Sequence, residues 1–355
     1  MKIKLSRMLL LVLTAVSLGG CSHGSKPVKE DIFALDTYIT FTVYGRLNAD
    51  AAIKAAISRI RDIENRMSAT KPGSEISLIN EKAGIEPVKV KPDTFYVIKK
   101  ALEYAELTGG VFDITTLPLK RLWNISGDNT RIPSQEEISE KLALVDYRKV
   151  RLDEAESTVY LEEKGMMIDL GGIAKGYCGD EAVRILKAHN IQHALINLGG
   201  DIVTLGTKPD GTPWKIGIQN PRIAEDEEGR QHVAVFDISG GTIVTSGDYE
   251  RYMIRVYEET GIRYHHIFDP RTGYPADTGA ISVTVKGASA VDCDTLATSI
   301  FILGAEEGLK LAESLENIDV MIITEDKKLR FSKGFGEQAY SIHPAYAKQS
   351  SGTGD

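Results

Sequence analysis

Asp294 and Thr298 are the two side chains of this sequence whose type and spacing first suggest chemistry. They lie in Val291-Asp292-Cys293-Asp294-Thr295-Leu296-Ala297-Thr298, ahead of the apolar run Ser299-Ile300-Phe301-Ile302-Leu303 and Gly304. The run predicts a buried helix closed by the glycine. Residues four apart share a helix face, so Asp294 and Thr298 would point the same way. A carboxylate and a hydroxyl are hard oxygen ligands of the kind Mg2+ accepts. The positive end of the helix would also favour phosphate. Taken alone, the segment has a plainer reading that stands first: Asp292 or Asp294 caps the helix, and Thr298 packs.

Three further loops carry polar groups. In Ile168-Asp169-Leu170-Gly171-Gly172-Ile173-Ala174-Lys175-Gly176-Tyr177, an aspartate at a strand end, two glycines and a lysine at a helix start suit a phosphate-bearing ligand. The loop is neither a P-loop nor a dinucleotide fingerprint, and a plain tight turn explains it equally well. Asn197-Leu198-Gly199-Gly200-Asp201 reads as a structural turn. His266-Ile267-Phe268-Asp269-Pro270-Arg271-Thr272-Gly273 holds a histidine that, alone, is more often structural than catalytic. Its neighbour His265 would face the other side of the strand.

The elements that must position these groups follow from periodicity. Asp31 to Gly45 alternates and predicts a strand, and Asn48 and Asp50 start a helix with an alanine and isoleucine stripe to Met67. A short helical turn at Ser74-Glu75-Ile76, helices over 93–107 and from Pro133, and short strands at 150–152, 159–161 and 166–170 come next. Lys175 to His189 is a helix and Ala194 to Leu198 a strand. Later strands are predicted over 214–218, 233–238, 242–245 and 281–285. Residues 252–257 and 262–268 read as a hairpin around Glu258-Glu259-Thr260-Gly261. Glu306 to Leu315 is a helix, Val320 to Thr324 a closing strand, and the acidic run Glu225 to Glu228 a solvated loop. Helices and strands do not alternate strictly, so the class is α+β.

Composition fits one large globular body: 355 residues, 42% hydrophobic, 26% charged, formal charge −8. An acidic chain is a poor candidate for nucleic acid. Lys2, Lys4 and Arg7 precede the apolar stretch Met8 to Val16, and Leu18-Gly19-Gly20-Cys21 follows. This describes a secretory signal over 1–20 and resembles a bacterial lipobox with Cys21 as the lipidated residue. The lipid would hold the protein on the cell envelope, facing the periplasm or exterior. Residues 21–30 read as a tether, 31–340 as the catalytic domain and 341–355 as a polar tail. The two cysteines left, Cys178 and Cys293, form no disulfide framework and are expected as free thiols.

In their order and spacing the motifs resemble the ApbE-type FAD:protein FMN transferases, once named thiamine biosynthesis lipoproteins. The resemblance runs from about Ile32 to about Phe331. It rests on Met67-Ser68 with Ser74-Glu75-Ile76, Gly110-Val111-Phe112-Asp113-Ile114-Thr115, the Asp169 to Tyr177 loop, Thr245-Ser246-Gly247-Asp248-Tyr249, and His266 to Gly273 with Asp294 to Thr298. It implies a duplicated T-fold-like core with an FAD cleft between the halves. FAD would be the substrate and Mg2+ the cofactor, and FMN would pass to a Thr or Ser hydroxyl of an acceptor flavoprotein, such as a membrane redox subunit, with release of AMP. Asp294, Thr298, Gly172 and Ala297 would hold Mg2+. Leu35, Thr70, Val111, Phe112, Asp113, Asp169, Lys175 and Phe268 would contact FAD, and His266 would serve transfer. Family members commonly carry methionine-glycine-threonine at Leu35-Asp36-Thr37, and small residues at Cys178 and Cys293. An FAD pyrophosphatase and a non-catalytic flavin-binding lipoprotein are the alternatives.

Overall fold

The computed structural model describes residues 26–45, 48–127, 131–223, 231–333, 335–343 and 346–349. The signal segment, Cys21, the acidic run Glu225–Glu228 and the end of the polar tail lie outside the described residues. Strands β1 (Val28–Ala34) and β2 (Thr37–Tyr44) pair antiparallel, and α1 (Ala49–Met67) packs back on them. Helix α1 buries Ala52, Ile53, Ala56, Ile60, Ile63 and Met67, while Ala51 and Ala55, also expected in the stripe, are exposed and half-buried. An outlying group follows: α2 (Glu75–Glu81), β3 (Val88–Lys89), α3 (Pro92–Leu107), α4 (Leu117–Trp123), α5 (Gln135–Leu142), β4 (Val150–Asp153) and β5 (Thr158–Leu161). Helix α6 (Ala174–Ala188) then leads into the antiparallel pair β6 (His193–Leu198) and β7 (Asp201–Leu205).

The second half runs through β8 (Trp214–Gln219), β9 (His232–Ile238), β10 (Gly241–Gly247), α7 (Ile254–Thr260), β11 (Ala280–Gly287), α8 (Ala290–Leu303), α9 (Ala305–Glu313) and β12 (Asp319–Thr324). It ends with β13 (Lys328–Phe331), β14 (Ala339–Ile342) and β15 (Ala347–Gln349). One sheet holds β1-β2-β6-β7-β10-β11-β12-β13-β15 in that order. Its left half, β1-β2-β6-β7, is backed by α1 and α6; its right half, β10-β11-β12-β13, by α8 and α9. Every pairing inside each half is antiparallel. This mixed α/β sheet of two like halves matches the expected class. The opposite face of the sheet is covered by β14-β9-β8, with Ile216, Ile218, Phe236 and Phe335 packed on Ile243, Met321 and Ile323.

The halves join at α6 and α8, where glycine permits close approach. A Cβ on Gly176 would lie 2.3 Å from the Ala290 carbonyl oxygen, and one on Gly179 would lie 2.8 Å from Val203. We therefore expect Gly176→Ala to push α6 off α8 and cost about 1–3 kcal/mol of stability. A denaturant midpoint equal to the parent's would show that the helices can separate freely.

Four expectations are corrected. Asp31 to Gly45 is a hairpin, not one strand: Leu35 and Asp36 both have φ 55° and turn the chain. Residues 254–260 are helix α7, closed by Gly261 at φ 73°, not the near strand of a hairpin. Met166 to Leu170 belongs to no strand ladder. Val320 to Thr324 does not close the chain, because β13, β14 and β15 follow. Strand β1 begins at Val28, paired with Val43, inside the stretch read as tether, and β14 and β15 reach past residue 340.

Candidate active site at the seam of the two halves

Asp294 stands on α8 where that helix crosses α6. The helix cap is Ser289, whose hydroxyl accepts the Asp292 N–H, so neither Asp292 nor Asp294 caps α8. The Asp180 carboxylate takes the Ala290 and Val291 N–H groups at 2.8 and 3.0 Å. The start of α8 is thus already satisfied, which overturns the expectation of phosphate there. Asp292 instead pairs with Lys100 at 3.0 Å.

Asp294 is 4% exposed and caps the other helix: its Oδ2 accepts the Gly176 N–H at 2.9 Å. Among the described residues its Oδ1 accepts no hydrogen bond. Burial pushes its carboxyl up and Asp201 adds to the rise, while Lys175 and the Gly176 N–H oppose it. Thr298 follows one turn on. Its Oγ1 would lie 3.6 Å from a Cβ built on Gly172, with the Phe112 ring at 3.2 Å. A Cβ there would crowd the Phe112 ring, whereas the Thr298 hydroxyl would sit at ordinary contact distance. Ala297 is fully buried. The structure thus brings Gly172, Asp294 and Thr298 together. No group of three or more His, Cys, Asp or Glu among the described residues could hold a metal; hard oxygens from one carboxylate, one hydroxyl and the main chain make a different kind of donor set.

Lys175, at the start of α6, is ion-paired with Asp201. Burial works against its charge, but Asp201, Asp294 and Glu250 outweigh it and raise its pKa. Asp201 Oδ1 in turn accepts the Thr245 N–H at 3.1 Å. Asp169 pairs with Lys120 of α4 and accepts the Gly171 N–H. Burial alone would raise the Asp169 carboxyl; Lys120 and the backbone N–H groups hold it below the ordinary range. Lys120 and Asp201 were not singled out from sequence. A lysine on a short amphipathic helix reads as surface, whereas Asp201, directly after two glycines of a tight turn, offered a signal.

His266 is half-buried, and its Nδ1 lies 3.3 Å from the Arg251 carbonyl. A carbonyl only accepts, so Nδ1 carries the proton and Nε2 the free lone pair. Burial, His265 and Lys120 push its pKa down to about 3. His265 has both nitrogens engaged, Nε2 with the Ala276 carbonyl at 2.9 Å and Nδ1 with the Ile267 N–H at 3.2 Å, and its ring meets Phe301 edge-on. It is structural. A depressed histidine destabilises at low pH: the unfolded chain takes up a proton near pH 6.5, the folded chain only near 3. Stability should therefore fall as pH drops from 7 to 5, and less so in His266→Asn. Identical pH slopes for the denaturant midpoints of the two proteins would contradict this.

The remaining residues divide. Asp113 spends both oxygens inside the chain, on Thr115 N and Oγ1 at 2.7 and 2.6 Å and on Tyr147 N at 3.0 Å. Val111 and Phe112 are each 4% exposed. Phe268 is equally buried, in a small core with Trp123, Leu119 and Met253. Thr70 is exposed, bonded to Ser68. The Leu35-Asp36 turn is held by Glu64 on the Leu35 N–H and by Arg251, which donates to the Asp36 carbonyl at 3.2 Å. Arg251 thus ties this turn to His266. Cys178 and Cys293 are buried free thiols on the two crossing helices, both raised in pKa by burial.

The sheet of two antiparallel halves backed by helices is the fold that known relatives share. The ApbE family model matches residues 35–322, and the chain belongs to the ApbE family. It is 34% identical over 347 residues to the FAD:protein FMN transferase of Treponema pallidum, covering 92% of this chain and 93% of that one. Among solved structures it is similar to the ApbE protein of Thermotoga maritima, with TM-score 0.80, 33% identity, and coverage of 89% and 100%. It is also similar to the flavin transferase ApbE of Vibrio cholerae, with TM-score 0.78, 27% identity, and coverage of 88% and 99%.

Proposed function

We propose that this chain is an FAD:protein FMN transferase that moves the FMN half of FAD onto a Thr or Ser hydroxyl of an acceptor flavoprotein and releases AMP. The observation that carries the reading is the meeting of Asp294, Thr298 and Gly172 beside Lys175, in a chain 34% identical to a named FAD:protein FMN transferase.

These donors fit Mg2+: the buried Asp294 has one oxygen unspent, and the Thr298 hydroxyl faces the Gly172 backbone. Asp294, Thr298 and main-chain oxygens of Gly172 and Ala297 would hold the ion. When bound, it neutralises charge on the pyrophosphate. The chain's own residues do the rest. Lys175 and Lys120 set positive charge on either side of the Asp169 loop. The acceptor hydroxyl oxygen bonds to the FMN phosphorus, and the bond from that phosphorus to the bridging oxygen breaks. The bridging oxygen leaves on AMP with the electron pair, and the hydroxyl proton passes to His266 Nε2. Asp169, Leu35, Thr70 and Phe112 would border FAD. Val111, Asp113 and Phe268, whose side chains the fold engages, would contribute main chain.

AMP release from FAD with Mg2+, measured with and without acceptor protein, tests the reaction class. A transferase needs the acceptor; release at full rate without it would make the protein a pyrophosphatase. We also infer one domain after the signal segment, anchored in the cell envelope by lipid on Cys21 and facing the periplasm or exterior, from Leu18-Gly19-Gly20-Cys21. Cys21→Ser should then lose incorporation of labelled palmitate, and equal labelling of parent and variant would refute the anchor. No helix among the described residues is long and apolar enough to cross a membrane.

A further inference from the structure

A cavity of about 490 Å3 adjoins the seam. Thr245, Tyr249 and Glu250 are among the residues that line it. Thr245 holds Asp201, and Glu250 is among the acids around Lys175, so this part of the lining lies next to the site. The β6–β7 turn contributes Gly199 and Gly200, and a Cβ on Gly200 would meet nothing within 4 Å. Along another wall lie Ile216, Gly217, Ile218 and Gln219, four successive residues of β8.

Those four alternate between buried and exposed faces, as a strand must. Successive residues of both faces border one space only when it runs along the strand's backbone edge. Among the described residues β8 is the edge strand of its sheet and pairs with β9 alone. An edge strand presents main-chain N–H and C=O groups to whatever lies beside it. The volume is of the size that ligands use. Four paired residues of an extended chain would span about 13 Å.

We propose that the acceptor's modified segment enters this cavity as an extended strand, pairing with the Ile216–Gln219 edge of β8 and presenting its hydroxyl beside Thr245 and Glu250. This rests on the transferase reading. An extended peptide suits the walls better than a compact ligand does, because a strand edge is recognised by main chain. In recognition of that kind main-chain pairing supplies affinity, and side chains at alternate positions of the segment supply specificity.

The test uses the wild-type enzyme, FAD, Mg2+ and a short peptide spanning the flavinylated residue of an acceptor mapped by mass spectrometry. Single backbone nitrogens of the peptide are methylated in turn. Strand pairing on one edge engages every second residue, so methylation at alternate positions should raise the peptide KM at least tenfold and at the positions between leave it unchanged. In parallel, Gln219→Trp, which narrows the groove away from the catalytic groups, should raise the acceptor KM at least fivefold with FAD affinity unchanged by flavin fluorescence. A position-independent effect of methylation, an unchanged KM in Gln219→Trp, or an enzyme that modifies whole acceptors but never the peptide each overturns the groove alone. A wild-type enzyme that modifies neither peptide nor whole acceptor overturns the transferase reading itself.

Discussion

Asp294→Asn should give a folded protein that no longer releases AMP from FAD. The amide keeps the shape of the carboxylate, and its oxygen can still accept the Gly176 N–H that Asp294 accepts at 2.9 Å. The cap on α6 therefore survives, and thermal stability should stay within a few degrees of the parent. The negative charge is lost, and with it the strongest ligand for a divalent ion. Charge stabilisation by a bound metal is worth several kcal/mol, and each ~1.4 kcal/mol is tenfold in rate, so activity should fall roughly 10^2–10^4-fold. Alanine is the harsher change: it also strands a buried N–H, at about 1–3 kcal/mol. Circular dichroism and Mg2+-dependent AMP release on the asparagine variant separate the two effects. Full activity in that variant would remove Asp294 from the metal site.

His266→Ala should behave differently. The ring is held by the Arg251 carbonyl, and burial favours its neutral form. Its free Nε2 can take the acceptor's proton, a step worth about 10^2–10^4-fold. FAD affinity should stay close to the parent value while transfer falls by that factor. His265 gives the contrast: it is engaged at both nitrogens, so its loss should lower stability first. A drop in FAD affinity large enough to explain the lost rate would reassign His266 to binding.

The residues that sequence located best are those whose signal is local. Asp294 and Thr298 follow from helical spacing in an apolar run, and the α6 start from two glycines and a lysine after an extended stretch. Their meeting came from the family resemblance and not from local pattern, because it depends on Gly176 letting two helices, far apart in sequence, touch. The Leu35-Asp36 turn was missed since both residues take φ 55° without the Asn-Gly or Gly-Gly pair that announces such a turn. Helix α7 was read as strand because Tyr252 to Tyr257 is rich in aromatic and β-branched residues, and Gly261 looked like a hairpin tip when it is the left-handed helix end. The reading of the α8 start as a phosphate seat failed for a tertiary reason. Asp180, from the other helix, had already filled it.

The transfer itself is tested most directly by the mass of an acceptor. After incubation of a candidate acceptor flavoprotein with this enzyme, FAD and Mg2+, intact-mass spectrometry should find the acceptor heavier by one FMN less one water, with the increment mapped to a single Thr or Ser and AMP released in equal amount. AMP and free FMN appearing together while the acceptor mass stays unchanged would contradict the account.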